Sequence, residues 1–297
     1  MNQIKPPEPG IHENIPFAEY CAWPYVNNSS LAALRRSPAH YKAAMENQRE
    51  PTEAMLFGTL AHAGKLEPLS IPQNYIVMPR FEGEIRRDDG SEYSNVKASK
   101  AYKEKVEEFH SVNTGKEIVS QDMFDNLIAL CDSLSRNELS AKWLRCDGPA
   151  EVSLVWDDPI TGLRCKARCD KLDWKAKRIT DLKTTRDCMD FCRSLGKYGY
   201  ARQAAFYRDG LGVLTGDEYE FCIVAVEKEP PFGVMSAPMS EDTLVAGHIE
   251  YRKALNAIYE CGQSQEWPGY SDPPAWELPH YMRPDLTLTV NGEITNI

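Results

Sequence analysis

The stretch "RCDKLDWKAKRITDLKTT", Arg168 to Thr185, sets two carboxylates eleven residues apart, Asp170 and Asp181, with Lys183 two further on. Its pattern reads as a β-hairpin, where carboxylates are poor strand residues and two facing each other repel. A turn on Lys175–Ala176 pairs Leu172 with Ile179 and Asp170 with Asp181. Because side chains alternate with period two, Lys183 then shares a face with Asp181. Three arrangements can compensate such a patch. The first is a salt-bridge cluster. The second is a hard divalent cation, which turns repulsion into attraction and leaves Lys183 to neutralise phosphate charge or orient a water. The third is a proton-sharing carboxylate dyad, disfavoured by the adjacent lysine.

The surrounding elements must position these groups. "NNSSLAALRRSPAHYKAAMENQ" predicts a helix starting near Ser29 or Ser30, kinked or divided at Pro38. "PTEAMLFGTLAHAGKLEP" predicts a second, capped by Thr52 and carrying His62. Residues 80–97 have no period and read as a loop; helices are expected at about 98–112 and 120–137. From Glu151 the character changes to a three-stranded meander, "EVSLVW", "LRCKARCDKLDW" and "RITDLKT". Helices follow at about 185–195 and 199–211, the second stopped by Gly210 and placing Gln203 and Tyr207 four apart on one face. "EYEFCIVAVEK" reads as a buried strand, 240–263 as a long amphipathic helix, and residues 1–27 as extended. The order predicts one α/β domain with a mixed central sheet over residues 1–270: a helical part at about 28–145, the meander and core at about 150–265, and a tail from 271 to 297.

Composition narrows the class. The 297 residues suffice for a substantial core, and no apolar run is long enough to span a membrane. The N-terminus has no signal-peptide pattern and predicts a cytoplasmic protein. Net charge is −10, yet nine Lys/Arg stand against three Asp between Thr161 and Arg186, leaving −16 on the remainder. A basic segment on an acidic body suits either a polyanion confined to one groove or an ordinary solvated hairpin face. The nine scattered cysteines read as reduced thiols. Cys165 and Cys169 lie about 13 Å apart if on one strand, too far to ligate one ion.

The spacing Asp-x₁₀-Asp-x-Lys resembles the PD-(D/E)xK nuclease pattern. Together, "SSLAALRRSPAHY", "FGTLAH", "AEVSLVWDDPITGLRCKARCDK", "ITDLKTT" and "YARQAAFYRDG" resemble the RecE-type (exodeoxyribonuclease VIII) exonuclease domain, related to phage lambda-type exonucleases, from about residue 10 to 268. The resemblance implies a restriction-endonuclease-like core, a mixed β-sheet flanked by helices. It implies Mg²⁺, with Mn²⁺ as a substitute, held by His62, Asp170, Asp181 and the Leu182 carbonyl, with Glu151 binding a second metal or supporting the first ligands. Lys183 would assist the attacking water, and Gln203 and Tyr207 would sit beside the scissile phosphate. Ser29, Ser30 and Arg35 would receive a 5′-phosphate. Cys169 stands where relatives often carry proline. Only Cys222 and Cys261 follow the "QAAFY" helix, so the iron–sulfur cluster of some relatives is not expected.

The implied activity is 5′→3′ degradation of double-stranded DNA from its ends, releasing mononucleotides and leaving a 3′ single strand for recombination. The implied assembly is a ring of three or four subunits, working beside a single-strand annealing protein, often in prophages. Two other classes fit the same residues: another PD-(D/E)xK endonuclease or repair nuclease, and a non-catalytic DNA-end-binding recombination factor.

Overall fold

In the computed structural model of the chain, residues 5–46, 52–87, 90–91, 93–279, 282, 287–290 and 293–296 are described. The elements run β1 (Gly10–His12), α1 (Phe17–Ala22), α2 (Asn28–Leu34), α3 (Pro38–Glu46), α4 (Glu53–Leu66), α5 (Ile71–Asn74), β2 (Tyr75–Met78), α6 (Lys100–Val112), β3 (Glu117–Ser120), α7 (Gln121–Arg136) and α8 (Glu138–Leu144). Then come β4 (Ala150–Asp157), β5 (Arg164–Asp173), β6 (Arg178–Thr185), α9 (Phe191–Lys197), α10 (Tyr200–Thr215), β7 (Glu220–Glu227), β8 (Val234–Pro238), α11 (Glu241–Ser264), β9 (Thr287–Val290) and β10 (Glu293–Asn296).

A six-stranded sheet in the order β1-β4-β5-β6-β7-β8 forms the centre. All its pairs are antiparallel except β6–β7, which the α9–α10 crossover makes parallel. The mixed α/β architecture expected from the element order is therefore present. β7 shows why its sequence is apolar throughout. Phe221, Ile223 and Ala225 face a core with α10, α11, α2 and α3, while Cys222, Val224 and Val226 face a second core with α4, α7 and α8. A strand covered on both faces has no solvent side on which to alternate.

Several boundaries differ from expectation, each for a local reason. Pro38 divides rather than kinks, opening α3 at its first position, and α2 begins at Asn28 with Asn27 as its cap. Gly210 does not stop α10, which runs to Thr215 and ends on left-handed Gly216. A Cβ on Gly210 would lie 2.6 Å from the Trp156 ring, so this glycine serves close packing of helix on sheet. The helix expected at 185–195 starts later, at Phe191. Residues 1–27 are not simply extended but contain β1 and α1, and the tail contains the β9–β10 pair. Edge strand β8 and the parallel pair β2–β3 are further elements the patterns did not reveal. Among the described residues, no helix is long and apolar enough to cross a membrane.

The N-terminal segment is strapped to β5 by a buried cation. Lys166 is 2% exposed, and its Nζ donates to the carbonyls of Tyr20 (2.7 Å), Cys21 (3.2 Å) and Trp23 (2.6 Å). It thereby supplies a donor to carbonyls at the end of α1, of which that of Tyr20 also accepts from Trp23 N–H. Replacing Lys166 with Met should destabilise the protein by about 2–4 kcal/mol, because buried carbonyls lose their donor. Urea unfolding measures this; an unchanged midpoint would show that the strap carries no stability.

Candidate active site

The hairpin register is the one a turn on Lys175–Ala176 predicts: Lys171 pairs with Thr180, Leu172 with Ile179 and Asp173 with Arg178. The ladder then stops, and Asp170 and Asp181 are not a ladder pair. Cys165, Ala167 and Cys169 share one core cluster with Leu172, so alternation along β5 breaks once, around Asp170. There the Asp170 carboxylate turns toward β6, and its Oδ2 accepts from Leu182 N–H at 2.7 Å. The amide and carbonyl of a strand residue point to the same edge, so the Leu182 carbonyl also faces this gap.

Residues reach the gap from several elements. α4 brings His62, whose Nδ1 is 3.4 Å from Asp170 Oδ2 and 3.8 Å from Glu151 Oε1. The expectation that His62 reaches the hairpin is met geometrically. Lys183 Nζ lies 2.6 Å from Asp181 Oδ2 and 5.0 Å from the Tyr200 ring centroid. From α10, Gln203 Nε2 donates to Asp181 Oδ1 at 2.7 Å. Tyr207, one turn on, instead packs edge-on against Phe221 and makes no hydrogen bond to the carboxylates among the described residues.

Three carboxylates, Glu151, Asp170 and Asp181, thus adjoin three cationic partners, Arg168, His62 and Lys183. Burial alone would lower the His62 pKa. The Asp170 charge, with hydrogen bonding to Asp170 and Glu151, outweighs burial and raises it to about 10. Burial would likewise raise Asp170, but His62, then Lys183 and the Leu182 amide, hold it below the ordinary carboxylate value. Asp181 is pushed up by burial and by the Asp170 charge despite Lys183.

His62, Glu151 and Asp170 each offer an atom within 4.8 Å of the others, a group able to hold a metal ion. Asp181 lies outside that trio, yet its Oδ2 is a buried acceptor without an aligned hydrogen bond, though in ion-pair range of Lys183. Carboxylate oxygens with one imidazole and a free-edged carbonyl suit a divalent cation that prefers oxygen.

Other expectations shift. Ser30 Oγ is engaged in the α2 capping box with Asn27, and Arg35 donates to the carbonyls of Gly196 and Lys197. Of that trio only Ser29 keeps an exposed side chain without such a role. The basic segment is largely paired internally: Arg164 with Asp157, Arg168 with Glu151, Lys177 with Asp217 and Arg178 with Glu220. Its local excess charge is therefore not an open cationic surface, which removes the charge argument for a polyanion. Arg168 and Tyr200 are site neighbours the motif reading did not single out.

A mixed sheet flanked by helices, with Asp-x₁₀-Asp-x-Lys gathered at a strand gap, is the PD-(D/E)xK arrangement. Residues 27–275 match the PDDEXK-like domain of unknown function (DUF3799), and the chain belongs to that family. It is also similar to the crystal structure of a candidate exonuclease from Eubacterium rectale, at 13% identity and TM-score 0.54, over 89% of this chain and 97% of that one. That likeness shows a shared fold. The SSO0001 structure overlaps more loosely, at 14% identity and TM-score 0.27, over 67% of this chain and 85% of that one. No curated protein matches the chain. The PD-(D/E)xK assignment is borne out; the RecE-type subdivision is finer than these likenesses reach.

Without metal, the raised His62 pKa stabilises the fold. That stability is fully present below about 6.5, the ordinary histidine value, and is lost as pH rises through about 10. In chelator, the stability advantage of wild type over His62→Asn should therefore shrink between those limits. Urea titrations at stepped pH check it; a difference independent of pH would contradict the assigned pairing.

Proposed function

We propose that the protein is a Mg²⁺-dependent double-stranded DNA exonuclease, working 5′→3′ and leaving 3′ single strands for recombination by annealing. The observation that carries the reading is the convergence of Asp170, Asp181, Lys183 and His62 at the gap between β5 and β6. When bound, the divalent cation supplies electrostatic stabilisation to the phosphate and a more acidic water. His62, Asp170, Asp181 and the Leu182 carbonyl would hold it, with Glu151 beside them.

The chain's own groups divide the remaining work. Lys183 carries a fixed positive charge: burial opposes it, but Asp181 and Asp170 raise its pKa above the ordinary value. It cannot act as a base in that state, so its role is to orient the attacking water and offset charge developing on the phosphate. Gln203 fixes the Asp181 carboxylate through Oδ1, keeping Oδ2 directed at Lys183 and the gap. Tyr207 lies one turn on, packed edge-on against Phe221. The family resemblance and the Eubacterium rectale exonuclease fold favour end-directed cleavage over internal cleavage. The ring assembly, the annealing partner and cytoplasmic residence belong to the same proposal by resemblance, as does a 5′-phosphate contact at Ser29.

The test is digestion of linear duplexes labelled at the 5′ or the 3′ end, against covalently closed circles, with and without Mg²⁺. The expected result is early release of 5′ label as mononucleotide, resistant circles, and loss of at least about 10³-fold activity in Asp181→Ala and Lys183→Ala. Cleavage of closed circles would favour an endonuclease. Full activity in Asp181→Ala would remove the assigned site, and DNA-end binding without any hydrolysis would favour a non-catalytic recombination factor.

A further inference from the structure

Glu151 is held in an unusual way. Its flanking residues pair regularly across β4–β5, Ala150 with Lys171 and Val152 with Cys169, while Glu151 itself, opposite Asp170, is skipped. Its φ is +53°, in the left-handed region that a residue with a Cβ rarely adopts. Such a backbone persists only where its surroundings over-determine it, and it clusters at functional sites. Here the side chain is pinned by a single oxygen: Oε2 accepts from Arg168 Nε at 2.6 Å, while Oε1 faces His62.

Arg168 is itself immobilised by groups outside the carboxylate cluster. Its Nη1 donates to the Ile15 carbonyl at 2.8 Å and lies 3.3 Å from Ser153 Oγ. Its guanidinium sits 5.9 Å from the ring centroids of both Phe17 and Tyr20, and its side chain is 9% exposed. A planar guanidinium fixed at one end can orient a carboxylate at the other, which a lysine ammonium does poorly.

Building on the reading of this cluster as a divalent-cation site, we propose that Arg168 is a positioning residue: it holds Glu151 so that Oε1 is presented to the cation beside His62 and Asp170. Outer partners of metal ligands commonly set metal affinity in this way. A purely structural alternative makes Arg168 a second tie for the N-terminal strap. Lys166 already provides that tie through three carbonyls, so it serves as the control.

The experiment is Mn²⁺ binding to the full chain, followed by the electron paramagnetic resonance of free Mn²⁺. Wild type is compared with Glu151→Gln, Arg168→Met, Arg168→Lys, the Glu151→Gln/Arg168→Met double variant and Lys166→Met. Glu151→Gln and Arg168→Met should each weaken binding by about tenfold or more. The double variant should bind no more weakly than Glu151→Gln alone, Arg168→Lys should fall between wild type and Arg168→Met, and Lys166→Met should bind as wild type does. If Glu151→Gln weakens binding while Arg168→Met stays within twofold of wild type, or if the two losses add in full, the inference is overturned. A Lys166→Met loss matching that of Arg168→Met overturns it in favour of the strap. Should Arg168→Met be insoluble, wild-type affinity in Arg168→Lys beside a weakened Glu151→Gln overturns it equally. If Glu151→Gln itself binds as wild type does, the fault lies with the placement of Glu151 in the cation site, and the inference falls with that placement.

Discussion

The local structure depends on one constraint: β5 and β6 cannot stay paired beyond Lys171–Thr180 while burying the carboxylates that follow. At the point of separation a backbone amide, Leu182 N–H, loses its ladder partner and takes the Asp170 carboxylate instead. Asp181 is 1% exposed and Asp170 little more. Isolated carboxylates at that depth would shed their charge, since desolvation is costly in a low dielectric. Interleaving with His62, Arg168 and Lys183 keeps the cluster close to neutral. Removing any one member leaves a buried charge without its partner.

The elements around the gap follow from this requirement. α4 delivers one cation from one core and α10 delivers the amide of Gln203 from the other, so the sheet must be covered on both faces. The N-terminal strap, held by Lys166, packs over β5. Gly210 and Gly247 let α10 approach the sheet and α11 closely, since a Cβ on Gly247 would lie 2.0 Å from the Ala201 carbonyl oxygen. Packing of α10 therefore bears directly on where Gln203 meets Asp181.

Much of this was legible in the sequence. The apolar pair Leu172/Ile179 agreed with the hairpin register, which the pairing of Lys171 with Thr180 bears out, and period two put Asp181 and Lys183 on one face. The identity of His62 came from motif context rather than from local physics, because nothing in a helix pattern says which strand it will meet. The strand break at Asp170 was not legible: it arises when main-chain pairing competes with carboxylate burial, a tertiary effect. Glu151 lies opposite Asp170 by a register count from Asp157–Arg164, so its partnership was within reach. Its left-handed backbone and its Arg168 tether were not, since neither leaves a trace in residue type or spacing. Gly210 misled because a helix-breaking residue and a close-packing one look alike without the Trp156 ring above them.

The central claim is that the gap between β5 and β6 is built around a divalent cation. A crystal of the full chain grown with Mn²⁺, with anomalous difference maps collected near the manganese edge, tests it most directly. The account predicts a peak in the gap, ligated by His62, Asp170 and Asp181 with Glu151 and the Leu182 carbonyl beside it. A fully bathed crystal with no peak there, and with His62 still paired to Asp170, would contradict it and leave the cluster as a structural salt-bridge network.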